Sequence, residues 1–546
     1  MENSRVSHEP PAPPAQAPRT IGRAARLVAL LLVLIGTVSR VAPLFDQGGR
    51  MLKQWPTEDG YLMLTIARNM SLGLGMSTAN GTLPTNGTRP GFNFVEAALF
   101  ALVHGDKRSG VLLTQVVSLA IALLAAWTLF RLGQRVLRER SFGGDAAAIA
   151  AAAWYASPNL APHSMNCLET GLYHLLILRA LLVWHRFAER RAATTTVAAG
   201  GALGLGVLLG AMLWARIDGV FLLAAVCLAH LATGFARGAP ALRARLLEAT
   251  LTGAVAVAVL SPWLIHNKTH FGSFMPISGT AQAFGAEPGD NLSWMPAKLA
   301  EYASVVVPVP DPLERTPWML ALFSLGLAAY LYGVGRMRRA ANASERSFLL
   351  VAALLLVFLA TYYGVLFGAA YFMARYLSPL SIGFALATTA GAFALHAQLP
   401  AGALRRALPP CAAVALLLLV AGTNARLYSN GTSHMHFQVV EWTERNVAES
   451  QWMAAVQTGT LGFFHDRTVN LDGKVNPDAL KHLIARTTPQ YVVDGRFGPE
   501  GAAIDYVADW SGIAKWGEIE PIKQHFQLVV DDPPRNLAVL KRNGAP

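Results

Sequence analysis

The sequence predicts an α-helical polytopic membrane protein, with about eleven transmembrane helices and a small C-terminal α/β domain. Three observations carry that prediction. Of the 546 residues, 53% are hydrophobic and only 14% charged, whereas a soluble globule carries roughly 25% charge. Apolar runs recur, each near the roughly 20 residues that a helix needs to cross a hydrocarbon core of about 30 Å. The net charge of +12 comes from 45 Lys+Arg against 33 Asp+Glu, and the bases sit in short clusters between those runs. That is the positive-inside pattern, not a nucleic-acid footprint, so no nucleic-acid partner is expected. Cys167, Cys227 and Cys411 all lie in or beside apolar runs and form no CxxC pair, so no disulfide framework or structural zinc site is implied.

Residues 1–23, with their PPAPPAQAP stretch, read as a disordered lead-in. The first run, 24–45, is followed by no clear small-residue cleavage site and reads as a retained anchor. Further runs cover 109–132, 145–163, 168–187, 195–215, 219–236, 246–266, 316–335, 347–369, 371–396 and 404–425. Two depart from a uniform span: 145–163 is Ala-rich and broken by Pro158, and 168–187 carries Glu169 and Arg179. Clusters such as Arg131/Arg135/Arg138/Arg140, Arg186/Arg190/Arg191, Arg237/Arg243/Arg245 and Arg336/Arg338/Arg339/Arg346 all fall in even-numbered connections, as do Arg405 and Arg406. Arg19, Arg23 and Arg26 place the N-terminus on the same, cytoplasmic side. The transmembrane module is therefore 24–425; its loops at about 46–108 and 267–315, and the tail 426–546, are expected outside the cell.

The tail changes character. "VVEWTERNVAESQW" reads as a helix, "MAAVQTGTLGFFHD" as strand, turn and strand, "NPDALKHLIAR" as a capped helix and "QYVVDGR" as a strand. Alternating elements of this kind suggest a small α/β domain.

The outward-facing polar residues are the candidates for chemistry. Glu58 and Asp59 follow Thr57, a potential N-cap, and Leu62, Ile66 and Met70 recur at helical spacing, which suits a helix in the membrane interface. Two acids in a first turn complement the helix dipole, or one is a general base at the mouth of a cavity. Glu169 in "NCLETGLY" and Arg216 with Asp218 in "WARIDG" fall at the same ends of their spans, as an interfacial ion pair or part of a site. His266, Lys268 and His270 stand at the exit of the seventh run without a third metal ligand at suitable spacing. In "YFMARYLSPL", Arg375 between Tyr371 and Tyr376 fits either interfacial anchoring or an anionic phosphate, which a planar fork holds by two oxygens. There is no P-loop, Rossmann fingerprint or GxSxG. An activated substrate outside the cell would then have to arrive in the membrane, as a lipid phosphate.

"EDGYLMLTIARNMSLGLGMSTANGTLPTNGTRPGFNF" resembles the first outer loop of bacterial GT-C glycosyltransferases: an acidic pair plus aromatic, then Ala-Arg-Asn, Gly-x-Gly and an Asn-Gly turn at Asn86. "NCLETGLY", "WARIDG", "PWLIHNKTHFGSFMPISG" and "MARYLSPL" are similar to later landmarks in the same order, over about residues 25–380. The closest likeness is to the branch using polyprenyl-phosphate sugars, which includes protein mannosyltransferase-like and arabinofuranosyltransferase-like enzymes. The WWDYG signature of oligosaccharyltransferases is missing, which argues against en bloc oligosaccharide transfer.

The resemblance implies a multi-pass enzyme of the bacterial inner membrane. It would move one sugar from a polyprenyl-phosphate donor, with inversion, to a glycan, lipid or protein acceptor. It assigns the base to Asp59, with Glu58 as orienter or secondary candidate. Substrate contacts fall to Arg375, Tyr376, Tyr371, Glu169, Arg216, Asp218, Asn86 and His266. Glu58 stands where the first Asp is more usual, which leaves the base in place but clouds any metal role; a divalent metal is not obligatory. The rival classes are a transporter or flippase for lipid-linked sugars and a silent sugar-binding relative. A transporter's marks, inverted repeats and helices broken near the midplane, are not evident, since the polar groups gather on one face.

Overall fold

The computed structural model describes residues 21–46, 49–191, 194–284, 286–308, 342–367, 373–430 and 436–545. The expected span 316–335 and Tyr371 lie outside the described residues.

Seven helices among the described residues are long and apolar enough to cross a membrane: Arg23–Phe45, Lys107–Val136, Ile217–Phe235, Ala239–Phe271, Ala343–Leu366, Leu380–Gln398 and Ala403–Ser429. The runs 145–163, 168–187 and 195–215 are helical too, as Gly143–Ala156, Thr170–Arg191 and Ala199–Ala215, but fall short of that standard. The expected count of eleven is therefore not established. Gly143–Ala156 has 14 residues, about 21 Å of helix, because the chain turns at Ser157 before Pro158. Its alanines are nevertheless packed into the bundle, with Ala146, Ala147, Ala150 and Ala153 fully buried. Small side chains let backbones approach: a methyl at Gly36 would strike Ala156 and Tyr155, and one at Gly133 would strike Ala147. The expected span 371–396 is divided into Met373–Leu377 and Leu380–Gln398, with Pro379 at the second helix's N-cap.

The helix Lys107–Val136 orients the bundle. Lys107 Nζ donates to the Phe464 carbonyl at 3.1 Å, so the helix begins against the C-terminal domain. Its 30 residues span about 45 Å, which carries Arg135 to the far end. There the basic clusters are tied down: Arg135 to Glu189 and Arg140 to Glu345.

The C-terminal domain holds a five-stranded sheet in the order Thr468–Asn470, Met453–Ala455, Tyr506–Asp509, Leu537–Arg542, Phe526–Asp532. The first three strands are parallel and the last two join antiparallel. Phe437–Asn446 and Pro477–Ala485 are the helices expected, the latter capped by the Asn476 side chain. Two expected strands are helices instead. Gly459–Phe464 replaces the second strand of "MAAVQTGTLGFFHD", because its first amides are bound by a side chain distant in sequence, Glu58. Thr488–Asp494 replaces "QYVVDGR": Pro489 opens a helix, and Tyr491, Val492 and Val493 are buried in the domain core.

Candidate active site

The helix Glu58–Ser71 builds one wall of the site. Thr57 Oγ1 accepts from the Gly60 amide at 3.2 Å, a conventional N-cap. Leu62, Met63 and Ile66 are buried within the protein, packed with Leu168 and with Val475 of the C-terminal domain. The helix expected to lie in the membrane interface is thus covered by protein on that face. Asp59 Oδ2 meets Arg375 Nη1 at 2.9 Å, and the two side chains are 22% and 7% exposed. Burial alone would raise the Asp59 carboxyl. The charges of Arg375, Lys474 and Arg89 outweigh it and hold the group below the usual carboxylate range.

Glu58 points elsewhere. Its carboxylate accepts from the Gly459 amide, from the Thr460 amide at 2.9 Å and from Thr460 Oγ1 at 2.6 Å. It fastens the C-terminal domain to the first loop, where the sequence placed it beside Asp59 as orienter or second base. A methyl at Gly459 would collide with the Glu58 carbonyl, so the approach depends on glycine. Burial raises the Glu58 carboxyl to about 7 despite those donors.

The other predicted charges converge. Arg216 grips Asp218 with both arms, at 2.9 and 2.7 Å, and reaches Glu169 Oε1 at 3.1 Å. Arg89 meets the same Glu169 oxygen at 3.2 Å. Tyr363 Oη donates to Asp218 Oδ2 at 2.5 Å, and its ring stacks on Tyr376 at 4.6 Å. The Arg216 guanidinium lies 4.7 Å from the Tyr376 ring centroid, and that of Arg375 5.3 Å. Arg89, Arg216, Asp218, Gln282, Tyr363 and Tyr376 line a cavity of about 270 Å³. Charged and aromatic groups on one wall of a cavity with apolar neighbours suit a ligand with a polar head and a greasy body.

Two predicted contacts serve other ends. Asn86 is fully buried: its Nδ2 donates to Asn267 Oδ1 at 3.2 Å and its Oδ1 accepts from the Ile277 amide at 3.2 Å. It pins the first loop to the 267–277 segment. His266 stacks between Trp263 and His270, at 5.5 and 4.5 Å, and does not line the cavity. Sequence reasoning missed Arg89, Tyr363, Gln282 and Lys474. Only Arg89 had a signal, its place in the loop motif "TNGTRPGF".

Comparison with known proteins places the fold. The chain superposes on ArnT from Cupriavidus metallidurans in the apo state with a TM-score of 0.58 at 13% identity, over 95% of this chain and 98% of that one. The same protein bound to undecaprenyl phosphate gives 0.55 at 12% identity, over 96% and 98%. The Archaeoglobus fulgidus oligosaccharyltransferase tethered with an acceptor peptide gives 0.53 at 13% identity, over 96% and 74%. No curated protein matches the sequence. A family model described as a domain of unknown function, DUF8728, matches residues 425–533. The chain therefore has the GT-C fold of polytopic membrane proteins. Its C-terminal domain packs on the end of the bundle where the acids gather, through the helix Gly459–Phe464 and Val475.

Proposed function

We propose that this protein is an inverting membrane glycosyltransferase. It moves a single sugar from a polyprenyl-phosphate donor to a hydroxyl of a cell-envelope glycan, lipid or protein at the outer face of the bacterial cytoplasmic membrane. The observation that carries the reading is the Asp59–Arg375 pair, joined through the Tyr376 ring to a cavity with Arg89 and Arg216 in its wall. The undecaprenyl phosphate bound by ArnT supports a lipid-phosphate donor, and the acceptor peptide on the oligosaccharyltransferase supports transfer to an external acceptor.

Asp59, held ionised by its cations, takes the proton of the acceptor hydroxyl as that oxygen attacks the anomeric carbon. The bond from that carbon to the phosphate oxygen breaks, and polyprenyl phosphate leaves with the electron pair. One displacement inverts the centre. Arg375 is shared: as charge develops on the departing phosphate, the guanidinium turns part of its hold from Asp59 to the phosphate, and Asp59 becomes more basic when it must accept a proton. Tyr376 orients Arg375 through ring contact, while Arg216 holds Asp218 and Glu169 in place.

Incubation of the purified protein with a panel of polyprenyl-phosphate sugars should release polyprenyl phosphate from one of them. Intact donor across the whole panel, with the protein folded, would set the reading aside.

A further inference from the structure

The C-terminal domain presents the carboxyl ends of its parallel strands to the acids. After Met453–Ala455 the chain reaches Gly459 and Thr460, which bind Glu58. After Thr468–Asn470 it enters the loop Leu471–Val475. In open α/β sheets this edge is where ligands and site residues collect, and here it is turned onto another module of the same chain.

That loop is firmly built. The Asn470 side chain accepts from the Gly473 amide at 3.0 Å, and Asp472 Oδ1 accepts from the Lys474 amide at 2.9 Å. Val475 is buried among Leu62, Met63 and Ile66, one turn along the helix from Asp59. Gly87 lies so close that a methyl there would strike the Lys474 carbonyl. Lys474 Nζ pairs with Asp472 Oδ2 at 3.2 Å, and both side chains are largely buried, at 18% and 15% exposure. Gly87 on one side and Val475 on the other thus hold Lys474 between the first loop and the helix that opens at Glu58 and Asp59.

We infer that Lys474 is a positioning residue of this site, supplied by the C-terminal domain, so that the environment of Asp59 is complete only when that domain is docked. The inference rests on the proposed role of Asp59. It adds that a residue of a separate folding layer sets the state of the base. The charged groups acting on Asp59 are Arg375 and Lys474, then Arg89 from the first loop, with Glu58 beside it on its own helix and Asp472 behind the lysine.

The test needs no substrate. Water-soluble carbodiimide reacts with protonated carboxyls, so the extent of Asp59 labelling against pH, read by peptide mass spectrometry on the full-length protein, follows its protonation. Lys474→Met should move the labelling midpoint to higher pH, and Lys474→Arg should leave it near wild type. Asp472→Asn, which spares the lysine, should move it to lower pH. Superimposable curves for wild type and Lys474→Met, with thermal unfolding unchanged, overturn the inference. Should Lys474→Met fail to fold, an unmoved curve for Asp472→Asn overturns it instead. A wild-type protein without transferase activity would remove the proposed reaction and leave the labelling result standing, so the two failures are distinguishable.

Discussion

Asp59 and Arg375 are separated by 316 residues of chain and meet at 2.9 Å between Oδ2 and Nη1. The Arg375 guanidinium is buried and presents its N–H donors in a planar fork that matches the oxygens of an anion, so in the proposed reaction it links base and leaving group. Arg375→Lys keeps the charge and loses the fork. Turnover should fall at least tenfold while the protein folds normally, measured as single-turnover sugar transfer beside thermal unfolding. Normal turnover in Arg375→Ala would remove the residue from the reaction.

Arg216 answers to two buried carboxylates at once. Arg216→Ala leaves Glu169 to Arg89 and Asp218 to the Tyr363 hydroxyl, and breaking a buried pair from one side costs about 3–5 kcal/mol. The variant should unfold well below wild type or fail to accumulate in the membrane. An unchanged melting curve would show that the cluster is solvated.

Glu58 makes the domain contact pH-sensitive. Its carboxyl titrates at about 7 in the folded protein, above an ordinary value of 4.5. A group raised in this way contributes stability that is full below the unfolded value and is lost as pH rises through the folded one. Thermal stability of the wild type should therefore decline between about pH 4.5 and 8 relative to Glu58→Gln, which stays neutral. Parallel curves for the two proteins would mean that Glu58 does not titrate at the contact.

Arg135 and Arg140 of the basic clusters lie at the bundle end opposite the C-terminal domain, and the positive-inside rule would make that end cytoplasmic. A reporter fused after Pro546 should read as extracytoplasmic. A cytoplasmic reading would invert the account and place the acids where soluble nucleotide donors are found.

The membrane class and the sharing of one level by Asp59, Glu169, Arg216, Asp218 and Arg375 were legible in the sequence. Apolar run length and charge asymmetry are local properties. The direction of Glu58 was not legible: its partners, Gly459 and Thr460, lie 401 and 402 residues away, and a first-turn acid carries the same local signature whether it faces solvent, substrate or a second helix. The same contact explains the missed helix Gly459–Phe464, since a cap supplied from another module leaves no trace nearby. Asn86 and His266 were drawn in by motif position, and the folded chain uses them to pin and to stack. Lys474 stands in an unremarkable loop, and only tertiary packing brings it to the acids.

The most direct test of the central claim is single-turnover transfer by Asp59→Asn, measured with thermal unfolding on the same preparation. The amide conserves size and much of the hydrogen bonding and cannot take a proton at neutral pH. With Asp59 as the base, the rate should drop by roughly 10²–10⁴-fold while donor binding and folding persist. An Asp59→Asn protein that transfers sugar at the wild-type rate per folded molecule, with at most about 1 kcal/mol lost in stability, would reduce the acid to helix capping and contradict the account.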